Sequence, residues 1–105
     1  MDLEKIVITD NRILEVPDYA FDSANINLRE IHLQRNIILD LGPLAFRGLP
    51  SLQHLDLSGN QISSLGAGTL FFTEPPKTVD LSRNRIASID VKAFEDPGRA
   101  GQYPH

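Results

Sequence analysis

One spacing constrains this chain of 105 residues more than any other feature: Asn11, Asn36, Asn60 and Asn84 follow one another at intervals of 25, 24 and 24 residues, each inside the same apolar frame. Aligned on the asparagine, Leu3-x-x-Ile6-x-Ile8-x-x-Asn11-x-Ile13 matches Leu28-x-x-Ile31-x-Leu33-x-x-Asn36-x-Ile38. The frame returns as Leu52-x-x-Leu55-x-Leu57-x-x-Asn60-x-Ile62 and as Pro76-x-x-Val79-x-Leu81-x-x-Asn84-x-Ile86. A period of this length marks a stacked array. No single turn can bury its own apolar side, so neighbouring turns must share one continuous core.

The positions within a turn follow from elementary chemistry. The apolar–polar alternation of Ile31-His32-Leu33 has the period of a short strand with one face buried. The alternation then breaks, and Asn36 stands where the chain must bend. A primary amide both donates and accepts, so the asparagines are expected to point inward and satisfy backbone groups of the turn, one above another as a ladder. Further buried levels are expected at Val16, Leu41, Leu65 and Ile89. The small–large pairs Ala20-Phe21, Ala45-Phe46, Thr69-Leu70 and Ala93-Phe94 should form a wall that packs back toward the strands.

In order, the turns are predicted over residues 2–25, 26–49, 50–73 and 74–94, with a frayed tail over 95–105 that carries Pro97, Gly98, Gly101 and Pro104. The extra residue of the first interval is placed somewhere in Asp22 to Asn27, where repeats tolerate insertion. Pro76 replaces the leading leucine of the last turn and has no N–H to give, so strand pairing should begin only near Lys77 or Thr78. Of Phe71 and Phe72, one should fill the core, while the other could offer a partner an exposed patch.

A net charge of −4 argues against a phosphate-backbone partner, and no nucleic-acid role is expected. The absence of cysteine removes disulfides, thiolate metal sites and cysteine nucleophiles together. No apolar run approaches the roughly 18 residues that a membrane span requires. The start, Met1-Asp2-Leu3-Glu4, is acidic where a secretion signal would be basic, so a chain complete as given would be cytoplasmic. Neither end shows the polar cap that such an array needs. The expectation is therefore a segment of a longer array, extracellular in that case, with end-to-end self-association through the uncapped turns as the alternative.

The whole pattern from residue 3 to about 94 resembles the leucine-rich repeat superfamily. The stretches Ala45-Phe46-Arg47-Gly48-Leu49-Pro50-Ser51-Leu52 and Leu55-Asp56-Leu57-Ser58-Gly59-Asn60-Gln61-Ile62 are similar to the 24-residue "typical" subclass of animal extracellular arrays, found in receptor ectodomains and secreted proteins. The resemblance implies an α/β fold: a solenoid of about four turns with a parallel concave sheet and an irregular or short-helical convex side, here without cysteine caps. It also implies a protein-binding function with no catalysis and no cofactor. A second likeness, of Gly66-Ala67-Gly68-Thr69-Leu70 and Thr78-Val79-Asp80-Leu81-Ser82, is to the non-catalytic leucine-rich subunit of arthropod luciferin monooxygenases.

In that family the unburied strand positions face the ligand. Here they form four columns: Lys5, Glu30, His54 and Thr78; Val7, His32, Asp56 and Asp80; Thr9, Gln34, Ser58 and Ser82; Asp10, Arg35, Gly59 and Arg83. From these, Glu30, His32, Gln34, Arg35, His54, Asp56, Ser58, Thr78, Asp80, Ser82 and Arg83 are the candidate partner-binding residues, for a protein ligand still to be identified. Two other chemistries must be weighed on this face. His32, His54, Asp56 and Asp80 are competent metal ligands, although Leu-Asp-Leu-Ser is the common way this repeat writes its strand, and no metal centre is expected. Ser58 or Ser82 with a histidine and an aspartate would supply a hydrolytic triad, but no strained nucleophile turn accompanies them, and no enzyme is expected.

Overall fold

The structure, a computed structural model, describes residues 4–17, 20–21, 27–72 and 74–95. The chain coils through eight short strands: β1 (Lys5–Val7), β2 (Glu15–Val16), β3 (Glu30–His32), β4 (Asp40–Leu41), β5 (His54–Asp56), β6 (Ser64–Leu65), β7 (Thr78–Asp80) and β8 (Ser88–Ile89). The three-residue strands stack in parallel as one sheet in the order β1-β3-β5-β7. On the return path β2 pairs with β4 and β6 with β8, again in parallel. Every crossover is one coil of the chain, so the architecture is the expected leucine-rich repeat solenoid. Its return side takes the irregular option: among the described residues there is no helix, only turns and two-residue strands.

The register follows the repeat. Ile6, Ile31, Leu55 and Val79 face one another across the sheet. Between the first two turns the offset is 25 residues, both in the sheet (Ile6 opposite Ile31) and on the return path (Val16 opposite Leu41). The extra residue therefore lies beyond Val16, and most of the stretch in which it was expected, like the predicted tail from residue 96 on, falls outside the described residues.

Pro76 costs the sheet nothing. In each inner rung one carbonyl accepts two successive N–H groups: Arg29 O takes those of Gln53 and His54, and Gln53 O takes those of Lys77 and Thr78. The N–H of Leu52, the counterpart of Pro76, turns inward to Leu49 O at 3.3 Å instead. The proline thus replaces a donor that the ladder does not use, and pairing begins at Lys77 as expected.

The core lies in the two inner turns. All of the largest fully buried side chains fall between Leu28 and Leu70, namely Leu28, Ile31, Ile38, Phe46, Leu49, Leu52, Leu55, Leu57, Ile62, Leu65 and Leu70. Each is worth about 1.5 to 3 kcal/mol of burial. The outer turns contribute the buried Val16 and Ala93, together with Ile6, Ile13, Phe21, Val79, Leu81 and Ile86, which pack against that core while only half covered. Two of the positions predicted to be buried are therefore left open: Ile89 is 57% and Phe94 62% exposed. Both belong to the fourth turn, which meets a neighbouring turn on one side only among the described residues.

The asparagine ladder is present and has a direction. Asn60 Nδ2 donates to Leu57 O of its own turn at 2.9 Å and to Leu33 O of the preceding turn at 3.1 Å, while its Oδ1 accepts the N–H of Ile38 at 3.1 Å. Asn36 repeats this with Leu33, Ile8 and Ile13, and Asn84 with Leu81, Leu57 and Ile62. Asn11 is exposed and, among the described residues, donates only to Thr9 O. The residue before each asparagine holds a left-handed backbone, with φ near 58° at Asp10 and Arg35, 67° at Gly59 and 56° at Arg83. Only Gly59 adopts it without the clash of a Cβ.

Candidate functional site

The outer face of the main sheet carries Glu30, His32, His54, Asp56, Thr78 and Asp80, while Gln34, Arg35, Ser58, Ser82 and Arg83 follow in the segments just after its strands. Alternation sends Ile31, Leu55 and Val79 inward, so their neighbours project outward in columns, and the register places Glu30 beside His54 beside Thr78, and His32 beside Asp56 beside Asp80. The described residues enclose no pocket. The surface is an open polar wall, with most of its middle side chains half-buried.

Turns three and four solve the end of their strands identically. Asp56 Oδ1 accepts the N–H and the hydroxyl of Ser58 at 2.9 and 2.7 Å. Asp80 Oδ1 accepts those of Ser82 at 2.9 and 2.6 Å. The two bonds from Ser82 favour the ionised form of Asp80 and hold its carboxyl below the ordinary range, the hydroxyl having the largest effect and the amide the next. In turn two His32 and Gln34 stand where the aspartate and serine would be, and the local cap is lost. His32 Nε2 instead donates to Glu30 Oε1 at 2.8 Å, which lowers the Glu30 pKa, with Lys5 at 4.0 Å adding a smaller attraction. The Gln34 side-chain oxygen is left without a partner among the described residues.

His54 reaches the other way along its column, sharing a hydrogen bond between Nδ1 and Thr78 Oγ1. Its ring lies against that of His32, with centroids 5.1 Å apart at a tilt of 44°. One ligand atom each from His32, His54 and Asp56 falls within 4.8 Å of the others. Asp80, weighed with them from sequence, is not brought into that group.

The basic residues at the turn divide. Arg35 is held by Asp10 in a two-pronged pair, Nε to Oδ1 at 2.7 Å and a terminal nitrogen to Oδ2 at 3.0 Å. The pair lowers the Asp10 pKa and raises that of Arg35. Arg83 makes no salt bridge among the described residues. Asp10 and Lys5 therefore belong to the wall although they were not among the candidates; their places in the Arg35 and Glu30 columns were the signal. The hydrolytic arrangement is not assembled, since Ser58 and Ser82 donate to their own aspartates while the histidines engage Glu30 and Thr78.

Among known proteins, the leucine rich repeat family model matches residues 2–62 and again 26–72. Human podocan-like protein 1 is 38% identical over 94 residues, covering 85% of this chain and 17% of that protein. Rabbit lumican is 37% identical over 94 residues, covering 89% and 46%. Mouse transforming growth factor beta activator LRRC32 is 33% identical over 91 residues, covering 78% and 13%. The chain thus spans less than half the length of each of these relatives. No solved structure matches. With the 24-residue period, the parallel solenoid and the asparagine ladder in place, the chain belongs to the leucine-rich repeat family, in the typical subclass of animal extracellular arrays.

Proposed function

We propose that this chain is a non-enzymatic protein-binding module, an array running over residues 1–94 that takes its partner on the concave strand face and serves as a segment of a longer receptor or secreted protein. The observation that carries the reading is the wall itself: Glu30, His32, His54, Asp56, Thr78 and Asp80 stand side by side over a rigid apolar layer. Backbone register fixes their spacing, so a partner meets them with little ordering left to do. Glu30, Asp56 and Asp80 make the centre acidic, which favours a partner with a basic patch and speeds encounter at low salt. An open face without a pocket suits a macromolecule better than a small substrate. One relative is named for activating a protein, transforming growth factor beta, which supports the same class of ligand.

The test is a binding screen of the 105-residue chain against purified secreted proteins, with each hit remeasured on Asp56→Lys at the strand face and Glu15→Lys on the return side. The reading expects binding to be lost with the first and kept with the second. Equal loss with both, or loss only with Glu15→Lys, overturns it.

One set of observations favours a second reading, self-association through the outer turns. Ile8, Leu14, Ile89, Val91 and Phe94 are all exposed large apolar residues of those turns, and β1 and β7 each lack a strand on one edge among the described residues. A molar mass that stays monomeric across a concentration series, with the fold intact by circular dichroism, removes this reading and leaves the first untouched.

A further inference from the structure

Three side chains of the wall already have the supports that a metal site requires. Glu30 orients the His32 ring by accepting a hydrogen bond from Nε2, which leaves Nδ1 with no partner among the described residues. Thr78 engages Nδ1 of His54 and leaves Nε2 open. Ser58 fixes Asp56 by two bonds to Oδ1 and leaves Oδ2 open. A ligating histidine commonly donates its second nitrogen to a carboxylate or other acceptor, and ligating carboxylates are themselves hydrogen-bonded. Both features are built here before any ion is added.

We propose that His32, His54 and Asp56 bind a divalent transition metal ion of the zinc type, with a fourth position open toward the concave side. Two imidazoles and one carboxylate suit zinc, copper or nickel and are a poor set for calcium or magnesium, which take oxygen ligands. Around a tetrahedral zinc ion, ligand atoms about 2.0 to 2.2 Å from the metal stand about 3.3 Å apart. One ligand atom from each of the three residues lies within 4.8 Å of the others, so side-chain rotation on this open face closes the site without moving the strands. The repeat alone does not explain the cluster: Asp80 and Ser82 copy Asp56 and Ser58, yet only turns two and three place histidines on adjoining strands. The charges agree as well, since Glu30 and Asp80 beside the cluster offset the added cation.

The experiment is a titration of the intact 105-residue chain with Co2+, followed by its visible absorption, and then displacement by Zn2+. The proposal expects saturation at one metal per chain, with the absorption of a low-coordinate cobalt ion, lost in His32→Ala and in His54→Ala. Glu30→Gln keeps the shape of a half-buried residue and should weaken binding about 10- to 100-fold through the ring it orients, with circular dichroism unchanged. That variant keeps the test decisive if truncating a half-buried histidine disturbs the fold. His105→Ala, at the chain's remaining histidine, should leave the titration as it was. Absorption that does not saturate, or saturable binding that survives loss of both His32 and His54, overturns the proposal.

Discussion

The ring of Phe72 lies against that of Phe46, with centroids 6.1 Å apart and planes 22° from parallel. Phe21 stacks on the other side of Phe46 at 5.8 Å and 15°, so one aromatic column runs through three turns of the return side. Leu70, which holds the corresponding place in the repeat, is fully buried.

Truncating the middle of this column should cost most. Phe46→Ala removes a fully buried ring and its stacking on both sides, a loss of about 3 to 5 kcal/mol. Phe94→Ala, at a residue 62% exposed, should change stability by no more than about 0.5 kcal/mol. Urea denaturation of the two variants checks both values, and equal effects would place the column outside the cooperative core.

The ladder predicts a graded series. Asn60→Ala leaves the buried Ile38 N–H without its partner and takes one of two asparagine bonds from each of Leu33 O and Leu57 O, which keep those of Asn36 and Asn84, and should destabilise by about 1 to 3 kcal/mol. Asn11→Ala removes one exposed bond to Thr9 O and should be close to neutral. If the two variants unfold at the same denaturant concentration, the ladder does not hold the turns together.

Gly59 is the one member of its column free of side-chain strain. Its φ of 67° is left-handed, and an added Cβ would meet Arg35 Cγ at 3.4 Å and Arg35 N at 3.5 Å. Gly59→Ala should therefore destabilise by about 1 to 2 kcal/mol, the cost of a left-handed L-residue. Differential scanning calorimetry of that variant gives the answer, a lower melting temperature being expected.

Acid should weaken the fold in a defined window. The carboxyls of Asp10, Glu30 and Asp80 are held below ordinary values of 3.8, 4.5 and 3.8 by Arg35, His32 and Ser82 respectively. A group depressed in the folded state binds its proton more readily when unfolded, so its stabilisation is present above the ordinary value and disappears as pH falls through the lower, folded one. The melting temperature should hold level as pH approaches 4.5 from above and decline below it. Ser82→Ala, by returning Asp80 toward its ordinary value, should make that decline shallower.

Much of the wall was legible in the amino-acid pattern, because one period fixes two things at once. The apolar positions stack only in register, and register then dictates that His32 adjoins Asp56 and that Glu30 adjoins His54. The partner each side chain chooses within a column was not legible. His32 turns along its own strand to Glu30, Arg35 crosses to Asp10, and Ser58 bends back to Asp56. Those choices depend on rotamers and on which neighbour is a donor, neither of which a repeat pattern records. The expected burial of Ile89 and Phe94 misled for a related reason: a pattern marks what a turn offers for burial, while burial itself depends on what packs against that turn, which covers Ala93 but not Ile89 or Phe94.

The ladder also gives the array a grain. Among the described residues, every bond made by the side chains of Asn36, Asn60 and Asn84 goes to its own turn or to the one before it, and none to the one after. A turn grafted after the fourth would bring its own clasp and find its partners in the carbonyl of Leu81 and the amide of Ile86, whereas one spliced in ahead of Asn36 would have to reproduce the carbonyl of Ile8 and the amide of Ile13. On a ribosome the same polarity means that each asparagine emerges after its acceptors, so the array can be fastened coil by coil in the order in which it is made.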